Sequence, residues 1–183
     1  FLLRLAPYIW TFFLGWVILT LMGIYAEDFA QRSIHTYRPR FPWVGLFFVT
    51  AWHLTWSAVS GMETLLHGYI ILIVLSMLIS GSRLYLGLGL LAGLSVWVRP
   101  DGLTLLGPIV FAALLAERSN KQRMDALFKI LLGFGALFGP YLLLNLALSG
   151  NPLPNTFYAK QAEYQEYWLS QPIMARMGNY LNP

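Results

Sequence analysis

Cysteine is absent from the 183 residues, so thiolate metal sites are excluded and the redox compartment leaves no trace. Charge is scarce: Asp, Glu, Lys and Arg make up 11% of the chain, against about 25% in a typical soluble domain. So few charges cannot cover the surface of a water-soluble fold of this size. Lys and Arg form no run interleaved with aromatics, which argues against a nucleic-acid partner despite the net charge of +4. The pattern of a cleavable signal peptide and a repeat of fixed period are also missing.

Apolar residues, by contrast, make up 57%, with seven Trp, ten Tyr and twelve Phe. Trp and Tyr suit a membrane–water boundary, where the ring lies in hydrocarbon and its polar edge stays wet. These features predict an all-α protein, a polytopic transmembrane helical bundle. Six apolar segments are expected as spans: 8–26, 43–59, 64–80, 84–98, 103–116 and 126–148. A span needs about 20 apolar residues, so the fourth and fifth are short and suit the inside of a bundle, or together form one re-entrant hairpin. Residues 1–183 read as a single transmembrane domain. Its last part, 149–183, forms an outer loop and an amphipathic stretch that either lies in the interface or leads to a further span. The start at Phe1 and the stop at Asn182-Pro183 read as a fragment of a longer protein.

Loop charge sets the expected orientation. With alternating spans, seven cations (Arg32, Arg38, Arg40, Arg83, Arg118, Lys121 and Arg123) fall on one side, against Arg99 and Lys160 on the other. The positive-inside rule makes the first side cytoplasmic. Glu27 and Asp28, at the inner end of the first span, are expected to be a solvated boundary. Gly89 and Gly93, and likewise Gly135 and Gly139, sit four apart and predict close helix contacts. Pro108 and Pro140 are expected to kink their helices. His53 and His67 lie fourteen apart with no third ligand at metal spacing, and are expected to be packed or hydrogen-bonded.

Three polar motifs then fall on the outer side: Ser60-Gly61-Met62-Glu63-Thr64, Arg99-Pro100-Asp101-Gly102, and Asn151 to Lys160. Each has a plain structural reading. Ser60 and Glu63 could form a capping box. Arg99 to Gly102 could be a turn with a snorkelling arginine. Asn151 to Lys160 could be a surface loop stiffened by two prolines. Taken together, they gather Glu63, Arg99, Asp101, Asn155, Tyr158 and Lys160 in one layer. Ionisable groups at membrane depth are costly and usually face a cavity or a partner. A layer of mixed charge suits a ligand with a phosphate, a polar head and an apolar tail, with Arg and Lys taking the phosphate.

At these motifs the chain resembles the GT-C class of membrane glycosyltransferases. It is similar to bacterial terminal arabinofuranosyltransferases and to protein-mannosyltransferase-like proteins. The likeness covers roughly 51–164 and rests on the order and spacing of Ser60 to Thr64, Arg99 to Gly102 and Leu153 to Lys160. It implies an inverting sugar transfer from a polyprenyl-phosphate donor to a glycan, lipid or protein acceptor, on the outer face of a bacterial inner membrane. It also implies a general base in a preceding outer loop that this chain lacks, so no catalytic residue is assigned here. Arg99 and Lys160 would contact the donor phosphate. Glu63 and Asp101 would bind sugar hydroxyls, position the acceptor or hold the cations in place, and Asn155 and Tyr158 would add neutral hydrogen bonds. Two outer carboxylates leave room for a divalent cation, although nothing requires one. The competing readings are a transporter or flippase, and a non-catalytic assembly subunit.

Overall fold

Apolar runs set the helices, and polar residues set where they stop. A computed structural model describes residues 2–34, 36–37, 39–61, 63–154, 157–159 and 161–163. Every element in it is helical: α1 (Leu2–Ser33), α2 (Trp43–Thr50), α3 (Trp52–Ser60), α4 (Glu63–Ile79), α5 (Tyr85–Val98), a 3₁₀ segment (Pro100–Leu105), α6 (Leu106–Ala116) and α7 (Asn120–Ser149). The all-α expectation holds. The chain divides into two units, Phe1–Phe138 and Gly139–Pro183, with the boundary just before Pro140 of α7.

The count of spans differs from the sequence reading. Two helices, Tyr8–Ser33 and Asn120–Ser149, are long and apolar enough to cross a membrane, rather than six. Only 28% and 22% of their apolar windows are buried, unlike the core helix of a soluble protein. Three further apolar helical stretches are shorter: Glu63–Ile79, Tyr85–Val98 and Pro100–Ala116. The expected second span is broken into α2 and α3 at Ala51, whose ψ of 118° leaves the helical region. No glycine or proline marks this break. The Thr55 hydroxyl stitches it by donating to the Val49 carbonyl at 3.1 Å, and the Thr50 hydroxyl donates to the Leu46 carbonyl at 2.8 Å.

Helix ends explain the other shifts in boundary. α7 begins at Asn120, six residues before the expected 126, because Ser119 and Gln122 form a reciprocal capping box: Gln122 N–H to Ser119 Oγ at 3.2 Å, Ser119 N–H to Gln122 Oε1 at 3.3 Å. The capping box that Ser60 and Glu63 could form is absent. Ser60 ends α3 and its hydroxyl turns back to the Ser57 carbonyl, while Gly61, at φ 70°, closes the helix in a left-handed conformation that suits glycine. Pro108 does not interrupt a helix, since it sits in the first turn of α6, where its missing N–H is not needed.

Close contacts fix the direction of packing within the first unit. Gly15 of α1 meets the Ala58 backbone, and Gly23 faces Gly45, so α1 runs antiparallel to α2 and α3. Thr11 lies against Gly61, and Arg32 at the far end of α1 reaches the Ser80 hydroxyl at 3.1 Å, so α1 and α4 run parallel. Gly89 and Gly93 of α5 lie on Ile130 and Phe134 of α7, as their spacing predicts. Gly135 and Gly139 have open space instead, and Gly133, against the Leu86 carbonyl, completes the contact. The buried face of α7 runs through Ala126, Ile130 and Phe134, which puts Gly135 one position off it. Leu19, Met22, Ala26, Ala58, Leu65 and Leu72 form the core between α1, α3 and α4.

The alternating directions give the bundle two ends of different character. At one end Arg32 pairs with Asp28 at 2.9 Å, Arg83 approaches Glu117 at 3.6 Å, and Arg123 donates to the Glu117 carbonyl at 2.9 Å. Glu27 corrects the expected solvated boundary. It is only 8% exposed, and its carboxylate accepts the Val44 and Gly45 N–H groups at 3.0 and 3.1 Å. Pro42 offers α2 no side-chain cap, so the helix takes one from α1.

Candidate functional site

Arg99 and its neighbours form the opposite end. Pro100 forces the residue before it out of helical geometry, and Arg99 sits at φ −148°, ψ 136°. That stops α5 and turns the chain into the 3₁₀ segment, with Pro100 in the first position, where its lack of N–H costs nothing. The Gly102 N–H closes the corner on the Arg99 carbonyl at 2.8 Å, and the Thr104 hydroxyl donates to the Asp101 carbonyl at 2.7 Å.

The Arg99 guanidinium is held from two sides. It pairs with the Asp101 carboxylate at 3.3 Å and donates to the Thr64 hydroxyl at 3.0 Å. Its side chain is 31% exposed, against 72% for Asp101, so the cation is half-buried while its counter-ion stands in the open. An arginine fixed in this way keeps donors free for a planar or tetrahedral oxyanion.

Below this corner, the fully buried Ser95 places its hydroxyl 2.9 Å from His67 Nδ1. Gly102 lies directly on Ser95: a Cβ there would stand 2.4 Å from the Ser95 carbonyl carbon and 2.5 Å from its Oγ. Thr64, His67 and Ser95 are the residues that the sequence reading left out of the site. The available signal was chemical: a lone imidazole and a lone hydroxyl inside apolar helices each need a partner.

Of the expected site residues, the structure brings Arg99 and Asp101 together. Glu63 lies next to Thr64 but lines a separate slot of about 190 Å³ between α1, α3 and α4, with Thr11, Gly15, Ser57 and Gly61. Tyr158 belongs to the second unit, where its ring meets Phe157 edge-on at 5.5 Å. Asn155 and Lys160 lie outside the described residues, as does the amphipathic stretch from 164 onward. Among the described residues no three His, Asp or Glu side chains converge to hold a metal ion.

No family model, curated protein or solved structure matches this chain. The candidate site therefore stands on its own geometry. A larger cavity, about 470 Å³, opens between α1 and α2 beside Glu27 at the arginine-rich end. The Glu27 carboxylate there is already engaged by Val44, Gly45 and Gln31, which marks a packing role.

Proposed function

We propose that this chain is part of an integral membrane glycosyltransferase that moves a sugar from a polyprenyl-phosphate donor to a glycan, lipid or protein acceptor. The Arg99 corner carries the reading: a half-buried guanidinium, oriented by Asp101 and Thr64, at the end of the bundle away from the Arg32, Arg83 and Arg123 cluster. By the positive-inside rule that cluster faces the cytoplasm of a bacterium and Arg99 faces outward. The exposed apolar surface, with Trp10, Phe47, Trp52, Phe111 and Leu143 all outward, supports a lipid environment. In this reading all six apolar segments are embedded, with the helix pair α2–α3 counting as one. Among the shorter helices, α5 buries Leu88, Gly89, Ala92 and Gly93 against its neighbours.

Arg99 binds the donor phosphate and stabilises the charge that gathers on it as the glycosidic C–O bond breaks. The acceptor oxygen bonds to the anomeric carbon, its proton passes to a base, and polyprenyl phosphate leaves. No residue of this chain is assigned as that base. Lys160 adds a second cation, Glu63 and Asp101 bind hydroxyls or order the cations, and Asn155 and Tyr158 supply neutral hydrogen bonds.

The deciding experiment is donor binding by the full-length protein in nanodiscs, against a panel of polyprenyl-phosphate sugars, with Arg99→Ala and Lys160→Ala beside the wild type. Saturable binding weakened by both substitutions supports the reading. No binding by a well-folded wild type across the panel rejects it. The break at Ala51 favours a transporter or flippase as the second reading, since interrupted helices are common in such proteins.

A further inference from the structure

We infer that His67 is a positioning residue for the Arg99 site, acting through Ser95 and not by touching ligand; this rests on the proposed donor-phosphate role of Arg99. Thr64 and His67 are three residues apart on α4 and therefore share one face. From that face α4 grips the end of α5 twice. Thr64 accepts the Arg99 guanidinium at 3.0 Å, and His67 Nδ1 meets the Ser95 hydroxyl at 2.9 Å, one turn below. Ser95 in turn supports both sides of the corner. Its carbonyl accepts the Arg99 N–H at 2.9 Å, and its atoms form the floor on which Gly102 rests without room for a Cβ.

The consequence is geometric. The His67–Ser95 bond sets the distance between α4 and the last turn of α5, and with it the reach of Arg99 to Thr64. Without the imidazole partner, a fully buried hydroxyl must turn to another, and the corner loses its lower anchor. Only Nδ1 takes part in this clamp, so Nε2 is dispensable. That separates a positioning histidine from one that meets the ligand.

Asparagine places its Oδ1 at the same bond distance from the backbone as His Nδ1, whereas glutamine places its amide where Nε2 stands. The test uses full-length protein in nanodiscs with sugar-free polyprenyl phosphate as the probe, and two readouts. The first is the Kd of the probe for wild type, His67→Ala, His67→Asn, His67→Gln, Ser95→Ala and the double variant His67→Ala/Ser95→Ala. The second is hydrogen exchange of the amides in 99–105 without ligand.

We expect His67→Ala and His67→Gln to weaken binding about five- to tenfold and to speed exchange in 99–105. We expect His67→Asn to restore both. Ser95→Ala should match His67→Ala, and the double variant should be no worse than either, since all three remove one bond. Recovery by His67→Gln and not by His67→Asn would mean that Nε2 meets the ligand, and overturns the inference. Unchanged exchange in His67→Ala overturns it as well, because no clamp is then present. A wild type that binds no probe, with exchange responding as expected, rejects the glycosyltransferase reading and the His67 role in donor binding, and leaves only a structural bond.

Discussion

The Tyr85 hydroxyl donates to the Glu117 carboxylate at 2.6 Å, joining the start of α5 to the link between α6 and α7 at the arginine-rich end. Glu117 is 4% exposed, and Arg83 stands 3.6 Å from the same oxygen. A carboxylate buried this deeply depends on its hydrogen-bond donors. Tyr85→Phe is expected to lower stability by about 1–3 kcal/mol, read from denaturation in detergent. A change below about 0.5 kcal/mol would mean that Arg83 alone satisfies Glu117.

The contact between α5 and α7 gives a second expectation. A Cβ on Gly89 would stand 2.1 Å from the Ile130 carbonyl oxygen, and one on Gly133 would stand 2.3 Å from that of Leu86. Both obstacles are backbone, so the helices must separate. Gly89→Ala and Gly133→Ala should each cost about 1–3 kcal/mol, whereas Gly135→Ala, with open space around it, should be close to neutral. Equal thermal stability of all three variants would contradict this packing.

Gly102 links the corner to the floor beneath it. Gly102→Ala introduces a Cβ about 2.4 Å from a Ser95 carbonyl carbon that cannot swing away. It should displace the 3₁₀ segment and weaken the proposed binding of a polyprenyl-phosphate donor by about tenfold or more, while far-UV helicity stays near wild type. Full binding in this variant would show that the position of the corner does not govern the site.

Tyr37 offers a pH signature at the cytoplasmic end of the proposed orientation. Burial and the neighbouring Glu27 charge hold its phenol above the ordinary tyrosine range. The folded protein thus keeps the proton at a pH where the unfolded chain, titrating near 10, has lost it. This group leaves stability unchanged below about pH 10 and lowers it as pH rises further. Glu27→Gln should bring the Tyr37 transition back toward 10 in a tyrosine NMR titration. An unmoved transition would leave burial as the whole cause.

Much of this was legible in the sequence. The apolar runs located the helices, and their alternation put Arg32, Arg83 and Arg123 at one end and Arg99 at the other, where the structure has them. Proline and glycine chemistry also marked the Arg99–Gly102 corner. What escaped depends on how helices face one another. Glu27 sits at a helix end, where a carboxylate ordinarily meets water, and nothing nearby in sequence reveals that α2 lies within reach and lacks a cap. The His67–Ser95 bond joins residues 28 apart through the rotation of two helices about their axes. Gly133 replaced Gly135 because spacing alone does not fix the phase of a helical face. The Ala51 break has no local mark at all, since Thr55 holds it from four residues downstream.

That break has a mechanical meaning. An unbroken helix transmits twist and thrust along its length, as a rod does. Between Glu27, which anchors the first turn of α2, and Gly61, which ends α3 beside the Glu63 slot, the chain has a joint instead. Thr55 bridges that joint to Val49, and Gly23 and Gly15 of α1 press on α2 and α3 on either side of it, so two short helices lie like jointed levers along one continuous one.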